Sequence, residues 1–135
     1  MLMLITAVLA AGIFGTFTDW LFMGVLFHSA YNKYPEVWWP AIREGKETGA
    51  IVWAAALCLI MSAGVVALCA LVGVSGIVGG IGVAAIVWAA GPLVVLVVNG
   101  FFVKIDPKVT FAHSLGYLVR MAIAGAAAGI ALPLA

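Results

Sequence analysis

An all-α protein, a bundle of four transmembrane helices, is predicted by three observations. Of 135 residues, 67% are hydrophobic and only 8% are charged, with a mean hydropathy of +1.29. A soluble domain carries about a quarter charged residues and could not hide this much apolar side chain in one small core. Four apolar segments each reach the length of about 20 residues that a helix needs to cross the hydrocarbon. Between them, short polar connections hold most of the charge.

The spans are predicted at 2–27, 50–72, 77–103 and 109–134, in a single transmembrane domain over residues 1–135. None shows the two-residue alternation of barrel strands, and in lipid the backbone must be satisfied within its own segment, so helices follow. The first span resembles the apolar part of a signal peptide. No Lys or Arg precedes it, however, and its apolar run continues to Phe27, so it is expected to be retained. The linker 31–49 contains Pro35 and Pro40, with Trp38 and Trp39 at the level of an interfacial aromatic belt. Val74-Ser75-Gly76 is a minimal turn. Lys104 to Pro107 is another, with Asp106 as N-cap and Pro107 at the first helical position. Spans two and three, and three and four, are therefore expected to be antiparallel neighbours.

Charge placement predicts orientation. Lys33, Arg43 and Lys46 lie in the first linker, and Lys104 and Lys108 flank the last turn. Both connections fall on one side of the bilayer, and the positive-inside rule makes that side cytoplasmic. Both termini are then non-cytoplasmic, which for a bacterial inner membrane means periplasmic. A net charge of +1 carries no basic stripe for a nucleic acid.

Ionisable groups inside a span cost about 2.5–3.5 kcal/mol at its centre. Asp19 and Arg120 are such groups. Each lies about ten residues, or 15 Å, inward from the edges at Ser29 and Thr110, so an Asp19–Arg120 pair is expected at mid-membrane. Reflection of the chain about the Ile105 turn offers Arg120 a second partner, the Trp88 carbonyl, which loses its helical donor because Pro92 has no N–H. His113, Tyr117 and Arg120 form one stripe of the fourth span. The same reflection sets Asn99 beside Phe111–His113, and together these predict a polar vestibule opening to the cytoplasm. An alternative leaves His113 and Tyr117 at the interface with wet tips.

Cofactor and metal chemistry finds few ligands. Cys58 and Cys69, eleven positions apart in one apolar run, read as small fillers rather than a disulfide or a metal site. No cofactor is expected. Haem held by His28 and His113 is the alternative, set against helical phase, since His28 follows Asp19 by half a turn. There is no G-x-S-x-G, no H-E-x-x-H and no pair of acids at one depth, so nothing assigns a catalytic residue. The small residues at Gly12/Thr16, Gly125/Gly129 and Gly76-Gly79-Gly80 permit close helix approach, and Gly125/Gly129 could serve a homo-oligomer.

The segments Thr18-Asp19-Trp20-Leu21-Phe22-Met23-Gly24-Val25-Leu26-Phe27-His28, Tyr31, Pro35-Glu36-Val37-Trp38, and His113-Ser114-Leu115-Gly116-Tyr117-Leu118-Val119-Arg120 resemble small four-helix bacterial membrane proteins catalogued as a domain of unknown function. The resemblance implies a fold and a membrane location and assigns no activity. An acid in the first of four helices is also a feature of small multidrug-resistance exporters. The setting of Asp19 and the strong Lys/Arg bias depart from that pattern, and that family is not adopted. The expectation is a small membrane protein that binds or moves a small solute at Asp19 and Arg120. The alternatives are a non-catalytic accessory or scaffold subunit, and a membrane enzyme or haem carrier acting on a lipid-soluble substrate.

Overall fold

The computed structural model describes residues 1–135, mostly helical and with no strand. Four helical stretches are long and apolar enough to cross a membrane: Leu2–Leu26, Thr48–Leu71, Ile77–Phe102 and Pro107–Leu134. Each lies within two residues of its expected bounds. In order, α1 is Leu2–Asp19, continued by a π-helical segment Trp20–Leu26, then α2 His28–Tyr31, α3 Pro40–Arg43, α4 Thr48–Leu71, α5 Ile77–Ala90, α6 Pro92–Phe102 and α7 Pro107–Ala131. Asp106 caps α7 by accepting the Lys108 N–H at 2.8 Å, with Pro107 at the first helical position, as expected.

Helix α7 is the hub. It packs on α1, α4 and α5, and its buried stripe is nearly all small: Ala112, Ser114, Gly116, Ala124, Gly125, Ala128, Gly129. Small residues let backbones approach, which is how helices gain contact in lipid, where burying apolar side chains has no driving force. The largest fully buried side chains are accordingly Cys58, Cys69 and Ser62. On α4 these fall on one stripe with Val65 and Val66, and both cysteines are free thiols within the core.

Two expectations about packing are corrected. Span three is not an extended neighbour of span two, since α4 and α5 touch little beyond their turn. The turn carries positive φ at Gly73 and Gly76, and α5 is drawn instead onto α7, where Gly80 lies against the Gly125 backbone and Gly76 against Gly129. That contact also corrects the expected role of Gly125 and Gly129. Their surface is filled within the chain and is not free for a second copy.

Span three is peripheral, and Gly80 and Ala84 are the buried residues of its two helices. It breaks at Gly91, whose φ and ψ are −119° and −90°. Pro92 brings no N–H to the carbonyl of Trp88, so the helix stops at Ala90 and restarts at Pro92. The register about Ile105 holds where Gly100 faces Thr110, and has slipped by the time Gly80 meets Gly125.

Candidate functional site: a buried ion pair and the polar ladder leading to it

Asp19 and Arg120 form a direct ion pair between Oδ2 and a terminal guanidinium nitrogen, as the depth argument predicts. Their side chains are 16% and 9% exposed. Glycines make room for them. Gly15 of α1 lies against both Cys58 and the Arg120 side chain, so a Cβ there would sit 2.7 Å from the Cys58 sulfur. Gly116 of α7 faces the carboxylate, a Cβ there being 3.5 Å from Asp19 Oδ1. The Tyr117 ring covers the guanidinium, with its centroid 3.7 Å from Arg120 Cζ, a cation–π contact in a desolvated setting.

The pair is not fully satisfied. Asp19 Oδ1 and Arg120 Nε are both buried without a hydrogen-bond partner, as is Ser62 Oγ. One acceptor and one donor are thus left open on the two sides of a single ion pair. The alternative partner of Arg120 is not used: Trp88 turns its indole to α7 instead and donates from Nε1 to the Ser114 carbonyl at 2.8 Å.

From this centre a ladder runs towards the charged end. His113 Nε2 lies 3.0 Å from Tyr31 Oη, the two rings meeting edge to face at 5.7 Å. Trp38 stacks on Tyr31 at 5.5 Å and donates from Nε1 to its carbonyl. Phe27 packs edge-on against Phe111. Tyr31 reaches α7 because the chain between it and Asp19 is wound as a π-helix, closed by Phe27 N–H donating to the Phe22 carbonyl at 2.9 Å. That winding takes more residues per turn than an α-helix and so resets the face presented after Asp19. Burial pushes the Tyr31 phenol up from its ordinary range, and the Asp19 carboxylate adds to the effect, so Tyr31 remains a neutral hydroxyl.

Asn99 does not join the vestibule. The contact to Thr110 is made by Gly100, and Asn99, one residue away in helical phase, is exposed on the outer side of α6. His28 is exposed and stands outside the ladder, and Nε2 of His113 is engaged by Tyr31, so the two imidazoles do not present a paired axial site. Tyr31, Gly15, Gly116 and Cys58 are the contributors that sequence reasoning missed. The signal for Tyr31 was an aromatic hydroxyl near the interface, which no phase argument links to His113 without knowledge of the π segment.

The charged connections meet at one end of the bundle. Lys33 bridges Asp106 at 2.7 Å and Lys104 bridges Glu36 at 2.6 Å, with Tyr34 beneath both ammonium groups. The Lys33 ammonium, then the Lys108 N–H, holds the Asp106 carboxyl below its ordinary value of 3.8, and Lys104 does the same for Glu36 against 4.5. Both lysines are raised in return. A carboxylate with a lowered pKa stabilises the fold fully above its ordinary value, and the contribution disappears as pH falls through the lowered one. The raised lysines act in the opposite sense, losing theirs at alkaline pH above the ordinary 10.5. The linker should therefore stay latched between the ordinary carboxylate values, 3.8 and 4.5, and the ordinary lysine value, 10.5, and loosen as the pH falls below the former or rises above the latter. Fluorescence of a variant that keeps Trp38 as its one tryptophan, followed in a pH titration, reads this, and an acid transition unchanged on adding Glu36→Gln and Asp106→Asn would show that other groups cause it.

No protein-family model, curated protein or solved structure matches this chain.

Proposed function

We propose that this protein binds or transports a small solute within the membrane, with the Asp19–Arg120 pair as its polar centre. The observation that carries this reading is the pair of open hydrogen-bonding atoms, Asp19 Oδ1 and Arg120 Nε, buried beside Gly116 and Gly15. Ionisable groups inside spans are expensive and mark substrate or proton pathways. A clasp alone does not require that the carboxylate keep an acceptor unused. The route in is the ladder from the charged end, through Tyr31 and His113 to Tyr117 and Arg120. By the positive-inside rule that end is cytoplasmic and both termini lie outside, in a bacterial inner membrane.

Asp19→Asn keeps the side-chain shape and one acceptor for Arg120 while removing the charge. That single change leaves Arg120 charged and unpaired, so the test is run beside the charge-free double variant Asp19→Asn, Arg120→Gln, which is expected to fold and to lose ligand-dependent flux, or thermal stabilisation by a screened solute panel. If Asp19→Asn retains the parent's solute response, the polar centre has no such role. A scaffold role is the second reading, favoured by the Tyr117 ring closing over the guanidinium. It predicts that the charge-free double variant loses co-purifying partners while any solute response is unchanged.

A further inference from the structure

We infer that the solute of this centre is a proton, which reaches Asp19 Oδ1 from the charged end by way of Tyr31 and His113. The inference rests on the proposed function and names its ligand.

Room sets the size of what can bind. A Cβ placed on Gly116 would be in contact with Asp19 Oδ1 at 3.5 Å, the Met23 methyl at 3.8 Å and the Phe22 side chain at 4.0 Å. On the opposite side, a Cβ at Gly15 would lie 2.7 Å from the Cys58 sulfur and 3.2 Å from Arg120 Cβ. One methyl already fills the space beside the carboxylate, so a solute of several heavy atoms has no place there. A hard metal cation takes about six oxygens. Here one oxygen is open, and it belongs to a carboxylate already paired with a guanidinium. A proton needs only one lone pair.

The open atom is the right acceptor. Oδ2 holds Arg120, so a proton can add at Oδ1 without displacing the ion pair. One O–H bond forms, the carboxylate becomes a neutral acid, and the guanidinium is left as the single charge. The face of the Tyr117 ring, 3.7 Å from Arg120 Cζ, is already turned to that charge. Arg120 from α7, Tyr31 from α2 and Cys58 from α4 are the ionisable groups that bear on Asp19.

Delivery starts at the charged end. A cavity of about 10 Å³, room for one water, is lined in part by Tyr31, Tyr34, Lys104 and Asp106. Tyr31 Oη lies 3.0 Å from His113 Nε2. The phenol gives its proton to Nε2 and takes another from the cavity side, while the imidazole releases the proton on Nδ1. Gly116, which lies against Oδ1, follows His113 by three residues, so acceptor and imidazole occupy adjoining turns of one helix face. A gap of about one water separates them. The net transfer is one proton to Asp19, with Tyr31 restored and His113 left in its other tautomer. Beyond the pair the core is apolar, with Ala11, Val65, Val66 and Ala124 buried together, so the proton is held at Asp19.

Infrared spectroscopy of the full chain in phosphatidylcholine vesicles tests this, with the proton itself as probe. Lowering the pH should raise a carboxylic-acid band in the parent that is missing from the Asp19→Asn, Arg120→Gln variant. After a pH jump, Tyr31→Phe should slow the rise of that band about a hundredfold, the loss expected when a positioned proton donor is removed. Its final height should not change, because phenylalanine keeps the ring on Trp38 and against His113. A purely structural Tyr31 would alter the height and spare the rate. Absence of the band, or an unchanged rate in Tyr31→Phe, overturns the inference. A solute response that survives without the band sinks the proton alone and leaves the proposed function, whereas loss of both sinks both.

Discussion

Arg120→Leu is expected to destabilise the protein by about 3–5 kcal/mol, the loss typical of breaking one side of a buried pair. The variant leaves the Asp19 carboxylate buried within the bundle without its ionic partner. It also strips the Tyr117 ring of the cation beneath it. Arg120→Lys should recover part of the loss only, because an ammonium can pair with Asp19 but offers no plane to stack on Tyr117. Asp19→Asn combined with Arg120→Gln should be more stable than Arg120→Leu alone, since no uncompensated charge remains. Exchanging the charges, Asp19→Arg with Arg120→Asp, tests the pairing itself and should fold better than either single change. Denaturation in mixed micelles measures all of these. If Arg120→Leu unfolds within about 1 kcal/mol of the parent, Asp19 is reaching water and the centre is not closed.

Gly125→Val should separate span three from the bundle. A Cβ at Gly125 falls on the backbone of Gly80, and neither helix can yield, because the obstacle is main chain rather than a rotatable side chain. Overpacking of this kind costs about 1–3 kcal/mol where neighbours can shift, and here the upper end or more is expected. Gly80→Val should behave alike from the other side. Gly64→Ala is the matched control: it also adds bulk to a spanning helix but meets nothing within 4 Å. The specific readout is the Trp88 indole, which loses the Ser114 carbonyl when α5 leaves α7. In a background that keeps Trp88 as the one tryptophan, its fluorescence should move in both valine variants and stay put in the control. An unchanged Trp88 signal and melting curve in Gly125→Val would mean that α5 and α7 do not cross at these glycines.

Much of the candidate centre was legible from counting. Asp19 and Arg120 could be set at one depth because helical rise is constant, and opposite charges in oil have few other partners. Depth is one coordinate, however, and the site needs azimuth as well. Asn99 had the right level and the wrong face, because Gly100 and not Asn99 turns towards Thr110. Tyr31 had no assignable face until the π segment reset the winding between it and Asp19. The Trp88 carbonyl was offered to Arg120 by a register that slips across the Gly91 break.

Composition and segment length alone determined that this chain forms four membrane-spanning helices with its charged connections at one end, since apolar runs of that length have few alternatives in water or lipid. Tertiary structure alone decided which helices touch. In hydrocarbon no apolar stripe marks an inner face, so neighbours are chosen by how closely backbones can approach. That choice made α7 the hub, sent α5 to Gly125 and Gly129 rather than to α4, and left one carboxylate oxygen of Asp19 buried and unpartnered.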